Sequence, residues 1–107
     1  MYKRQKLGYD LTIEQGYEAA RITAINLIST VKASVGDLKK VKRVLKVTGM
    51  VNAAPNFTDH PKVVNGCSDL IVEVFGDRGK HTRAAVGMGS LPSNIAVEID
   101  MILEVMD

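Results

Sequence analysis

A chain of 107 residues, 46% hydrophobic and 24% charged, is long enough for one modest core and too apolar for a disordered segment. A formal net charge of +2 is too small to imply a nucleic-acid or membrane partner by itself, and a single cysteine, Cys67, excludes an internal disulfide and cannot anchor a zinc site alone. No stretch approaches the roughly 18 apolar residues of a membrane span, and the opening MYKRQKLGYD lacks a signal-peptide core, so a soluble, cytoplasmic protein is expected.

The first predicted helix begins at a capping box, Thr12-Ile13-Glu14-Gln15, in which the Thr12 hydroxyl accepts from the Gln15 amide and Gln15 reaches back. Ile13, Tyr17, Ala20, Ala24, Leu27 and Val31 recur at steps of three and four as its apolar stripe, and Gly36 supplies the stop. From Val41 to Val51 the period shortens to two. Leu45, Val47 and Val51 fall on one face and Lys42, Lys46 and Thr48 on the other, the pattern of a half-buried strand. Asn52-Ala53-Ala54-Pro55-Asn56 reads as a turn.

A second helix is predicted over Pro61–Phe75, capped by His60 and buried through Val63, Cys67, Leu70, Ile71 and Val74. Two strands follow, Arg83–Gly89 and Ile95–Val105, separated by Ser90-Leu91-Pro92-Ser93-Asn94. In the last strand Ile95, Val97, Ile99, Met101 and Leu103 should face the helices. That leaves Ala96, Glu98, Asp100 and Ile102 for an interface or a site. Helices on one sheet face leave the other in need of cover, and oligomerisation is the simplest cover.

Chemistry-bearing residues are few. Arg83 offers a planar fork of donors suited to a carboxylate, and Glu98, past the Leu-Pro turn, can handle a water or a proton. Cys67 sits on the apolar stripe and reads as core. His60 and His81 have no acidic or cysteine cluster at ligand spacing, so no metal site is expected. The basic run Lys39-Lys40-Val41-Lys42-Arg43, continued by Lys46, lacks interleaved aromatics for base stacking and reads as a solvated junction.

Four ordered blocks, GYEAARI, VKRVLKVTGMVN, DHPKVVNGCSDLIVEVFG and TRAAVGMGSLPSNIAVEIDMI, resemble the Rid (YjgF) family of small trimeric proteins, from about Leu7 to the C-terminus. Many members of that family are enamine/imine deaminases. The resemblance implies an α+β fold over residues 1–107, a chorismate-mutase-like two-layer sandwich with two helices on one face of a mixed sheet. It also implies a homotrimer with clefts between neighbours. It carries the family's substrate-carboxylate arginine to Arg83, its water-handling glutamate to Glu98 and a site-neighbourhood asparagine to Asn65. Ala85 stands where many members have a cysteine, so no thiol chemistry transfers. Members begin with extra N-terminal strands whose serine-glycine segment lines the active site. Here residues 1–6 read as an atypical leader, and the resemblance implies a fragment of a longer parent.

The activity implied is that of a 2-iminobutanoate/2-iminopropanoate deaminase: hydrolysis of a small 2-imino acid to a 2-oxo acid and ammonia, with no metal or cofactor. Two alternatives stand beside it. One is a non-catalytic trimeric module holding a small carboxylate in the same cleft. The other, less favoured, is an RNA-associated protein working through the Lys39–Lys46 patch.

Overall fold

The computed structural model describes residues 6–106. Its elements run α1 (Ile13–Val35), β1 (Val41–Asn52), α2 (His60–Phe75), β2 (Thr82–Met88) and β3 (Val97–Val105). The fold is α+β, two helices packed on a three-stranded mixed sheet. The strand order is β2-β1-β3, with β1 parallel to β2 and antiparallel to β3. The parallel pair is joined through α2, as a parallel connection requires a crossover.

The capping box forms: the Gln15 amide donates to Thr12 Oγ1 at 3.2 Å and the Thr12 amide to Gln15 Oε1 at 2.9 Å. At the other end Gly36 takes φ 90°, a conformation that favours glycine. The two helices meet through small residues. Gly16, Ala20 and Ala24 of α1 are buried with Val63, Gly66, Cys67 and Leu70 of α2. Gly66 lies so close to the carbonyl of Tyr17 that a Cβ there would collide with backbone. Beneath them Gly49 of β1 admits the Val64 side chain, whose Cγ2 would stand 2.5 Å from any added Cβ.

The central strand departs from simple alternation. Val41, Val44, Val47 and Val51 are all fully buried, whereas Leu45, expected on the core face, is 41% exposed. The pairing with β3 shifts register between Val41 and Arg43 and again between Val44 and Lys46. Each shift inserts an extra residue and re-phases the side chains, which carries Val44 inward and turns Leu45 out. Val74 is likewise exposed, and Phe75 takes its expected place in the core.

On β3, Val97 and Ile99 are buried and Met101 and Leu103 partly so, as the alternation predicts, but Ile95 lies before the strand and is exposed. His60 does not cap α2. Asp59 holds the cap position without a side-chain bond, and the His60 ring instead packs edge-on to Phe57, at 5.6 Å between centroids, and against Gly87.

The predicted turn at Asn52 is the last rung of β1. The Asn52 side chain is fully buried and satisfied, donating to Asn94 Oδ1 at 3.0 Å and the Ile95 carbonyl at 3.1 Å. Its Oδ1 accepts from Lys6 Nζ at 3.1 Å, and Lys6 also donates to the Gly89 carbonyl. Leu7 is fully buried and bridges to Ala53. Lys6, the last residue of the predicted leader, is tied to the sheet by these bonds, and residues 1–5 lie outside the described residues. The sheet face away from the helices keeps Val86, Met88 and Ile102 exposed.

Candidate functional site

Arg83 stands opposite Val47 in the β1–β2 register, and paired residues share a sheet face. Val47 is buried under the helices, so Arg83 rises on the helix side, but β2 is an edge strand and the guanidinium remains exposed. There α2 overhangs it. Asn65 and Ser68 are one helical turn apart and therefore neighbours on one face. Arg83 Nη1 donates to Asn65 Oδ1 at 2.7 Å and to Ser68 Oγ at 3.3 Å.

The chain of hydrogen bonds continues. Ser68 Oγ lies 2.9 Å from His81 Nε2, and His81 Nδ1 lies 2.5 Å from the Gly79 carbonyl. A carbonyl only accepts, so Nδ1 carries the proton. In the neutral ring Nε2 then offers its lone pair, and the Ser68 hydroxyl donates to it. The turn that aims His81 depends on two glycines. Gly76 adopts φ 63°, and Gly79 sits so near the end of α2 that an added Cβ would be 2.6 Å from the Ile71 carbonyl.

Ser68, Val72, Lys80, His81 and Arg83 line an open cavity of about 260 Å³. Lys80 pairs with Asp77 at 3.1 Å through two exposed side chains, a contact worth little. Because Nη1 of Arg83 serves both Asn65 and Ser68, its Nε and Nη2 have no protein acceptor among the described residues. A fork held at one prong is pre-oriented for a planar anion such as a carboxylate.

Of the predicted site residues, Arg83 and Asn65 come together and Glu98 does not join them. Glu98 pairs with Met50, on the sheet face opposite the one that Gly49 and Val51 present to the helices. β3 also flanks β1 on the side away from β2, so the two residues are separated by two strand spacings, roughly 10 Å, as well as by the sheet. Proximity in sequence past the Leu-Pro turn does not become proximity in space within one chain. The Glu98 side chain makes no hydrogen bond or ion pair among the described residues.

Ser68 is the residue here that sequence reasoning missed, and His81, two residues before Arg83, was not counted among the site residues. The available signals were the three-residue step from Asn65 to Ser68 on a helix and the two-residue step from His81 to Arg83 along a strand. Asp100 is exposed, as a solvated charge should be. Lys39, Lys40, Lys42, Arg43 and Lys46 are exposed as well.

Cys67, adjacent to Ser68, is fully buried. Burial pushes its thiol pKa from 9.0 up to about 11, opposed in part by the Arg83 charge. The unfolded chain loses this proton at lower pH than the folded chain. Stability from this residue is therefore complete below about pH 9 and is lost as pH rises toward about 11. Denaturant unfolding across that window should give a falling stability whose slope is reduced in Cys67→Ala. Equal slopes in parent and variant would contradict the buried-thiol account.

Among the described residues no helix is long and apolar enough to cross a membrane, and no group of three or more His, Cys, Asp or Glu could hold a metal ion.

The family model described as "YjgF/chorismate mutase-like, putative endoribonuclease" matches residues 1–105, a span that includes residues 1–6, where no resemblance was expected. Protein TCP17 of Trypanosoma cruzi is 47% identical over 100 residues, covering 92% of this chain and 62% of that protein. A crystal structure of a protein of unknown function from Agrobacterium tumefaciens superposes with a TM-score of 0.93 at 44% identity, covering 96% of this chain and 65% of that one. One described as a "putative endoribonuclease" from Shewanella oneidensis gives 0.92 at 31% identity, covering 95% and 68%. The chain thus spans just under two thirds of the length of the first two relatives. A family match over nearly its whole length, with relatives this similar in sequence and in fold, identifies the chain as a member of the YjgF family.

Proposed function

We propose that this chain contributes to a hydrolytic site for enamines and imines of small 2-amino acids, releasing 2-oxo acids and ammonia. The observation that carries the reading is Arg83, tethered through one nitrogen to Asn65 and Ser68 beside an open cavity. In this reading its remaining N–H groups take the substrate carboxylate in a two-pronged contact. Water attacks the C=N carbon, and the resulting aminol collapses with loss of ammonia. Glu98, on the far sheet face of its own chain, would act on the substrate held by a neighbouring copy. The site is then composite, and the homotrimer is part of the proposal. The exposed Val86, Met88 and Ile102 give the open sheet face a reason to be covered.

The separation of Glu98 from Arg83 within one chain favours one second reading, a module that binds a small carboxylate at Arg83 without turning it over. The description of the Shewanella relative points to RNA, and the Lys39–Lys46 patch is the basic surface it would use. That surface lies at the start of β1, and no aromatic residue interleaves it. Ammonia release from a freshly generated 2-imino acid decides between the first two. Acceleration over buffer that disappears in Arg83→Ala is the expected result. Binding of a 2-oxo acid without acceleration would replace the enzyme with the binding module.

A further inference from the structure

We infer that Ser68 and His81 form a nucleophile–base pair that hydrolyses small esters bearing a carboxylate. The inference rests on Arg83 as an anion holder and not on the imine reading. A hydroxyl becomes a useful nucleophile when a base stands within hydrogen-bond reach and a third group fixes that base. All three parts are present. Ser68 Oγ is 2.9 Å from His81 Nε2, and the Gly79 carbonyl, 2.5 Å from Nδ1, holds the tautomer that leaves Nε2 able to accept a proton. Gly79 and Gly76 build the turn that places this carbonyl, so the base is aimed by backbone rather than by a mobile side chain.

The surroundings suit the reaction. Arg83 Nη1 lies 3.3 Å from Ser68 Oγ, where its charge favours the alkoxide over the alcohol and can stabilise an oxyanion forming on the attacked carbon. Ser68, His81, Arg83 and Lys80 share the wall of one open cavity of about 260 Å³, large enough for a small acyl ester. Lys80 and the unused N–H groups of Arg83 favour a substrate with a carboxylate away from the ester bond.

In the acylation step Ser68 Oγ bonds to the acyl carbon and its proton passes to His81 Nε2. The carbon–alkoxide bond then breaks, and the leaving alcohol takes that proton. Water, losing its proton to the same Nε2, attacks the acyl-serine; the ester bond to Oγ breaks, Ser68 recovers its proton and the carboxylic acid departs.

The test uses the full chain, diisopropyl fluorophosphate as covalent probe and 3-acetoxybenzoate as substrate. Peptide mass mapping should find the phosphoryl group on Ser68. Ser68→Ala should lose it, and His81→Gln should acquire it at least tenfold more slowly. Ser68→Ala should lower 3-acetoxybenzoate hydrolysis by about 100-fold, the usual scale of such a base-assisted step. Thermal unfolding of each variant verifies that the fold persists. An unlabelled Ser68 in the folded parent, or a label on another residue, overturns the inference and leaves these bonds as a tether between turn and helix. Ammonia release is scored separately. Labelled Ser68 without ammonia release supports this site and removes the imine reading, whereas ammonia release with Ser68 inert removes this site alone.

Discussion

Gly66→Ala is expected to lower stability by about 3 kcal/mol, the upper end of ordinary overpacking effects. The reason is local and asymmetric. A Cβ on Gly66 would run into the carbonyl of Tyr17 on α1, with the Arg21 amide nitrogen at 3.1 Å. The colliding atoms are backbone, so no rotamer change relieves them and the helices must part. Parting them opens the seam of Ala20, Ala24, Val63, Cys67 and Leu70. The gain in helix propensity from Gly to Ala, at most about 1 kcal/mol, opposes this and is the smaller effect. A net loss on this scale corresponds to a fall in Tm of roughly 10–20 °C for a domain of this size. Gly89→Ala is the control, since nothing lies within 4 Å of its added Cβ and its φ is not positive. Calorimetry finding equal midpoints for both variants would mean that α1 and α2 do not approach this closely.

The second large effect belongs to Arg83. Arg83→Lys should abolish most ligand binding or turnover while leaving Tm close to that of the parent. A lysine ammonium could still reach Asn65 Oδ1, but it is a single compact charge and cannot hold that bond while presenting two parallel donors to a carboxylate. Loss of one prong of a charge-assisted pair removes on the order of 1.5–3 kcal/mol, or roughly 10- to 150-fold in affinity. The guanidinium is exposed and its partners lie at the α2 surface, so the core does not depend on it. A lysine variant that binds a 2-oxo acid as tightly as the parent would reduce Arg83 to a surface charge.

The parts of this fold that were legible in the sequence are those encoded by neighbours along the chain. Thr12 and Gln15 announce the start of α1, and Val63, Cys67, Leu70 and Ile71 mark the buried face of α2, because capping and helical period are set within a few residues. What escaped is set by distant partners. The β1 bulges arise from its pairing with β3, more than 40 residues away, so alternation alone placed Leu45 inside and Val44 outside. The strand order has the same origin. Nothing in the stretch from Arg83 to Glu98 states that β3 returns along the far side of β1, which is what moves Glu98 away from Arg83.

Asn65 was found through family resemblance. Ser68 and His81 stood at the right steps for a shared site, but those spacings are common on helices and strands. Only the turn over Gly76–Gly79 gives them a common cavity.

If Arg83 of one copy and Glu98 of another serve one substrate, each variant should supply what the other lacks. Mixing two inactive variants reads this out. Arg83→Ala and Glu98→Gln are prepared separately, unfolded together in equal amounts, refolded, and assayed for ammonia release from a freshly generated 2-imino acid. In a cyclic assembly with random mixing, about one site in four receives an intact Arg83 from one chain and an intact Glu98 from its neighbour. Recovery of about a quarter of the parental rate is expected in the mixture, and none in either variant refolded alone. A mixture as inactive as its components, formed from chains that co-assemble, would contradict a site shared between copies.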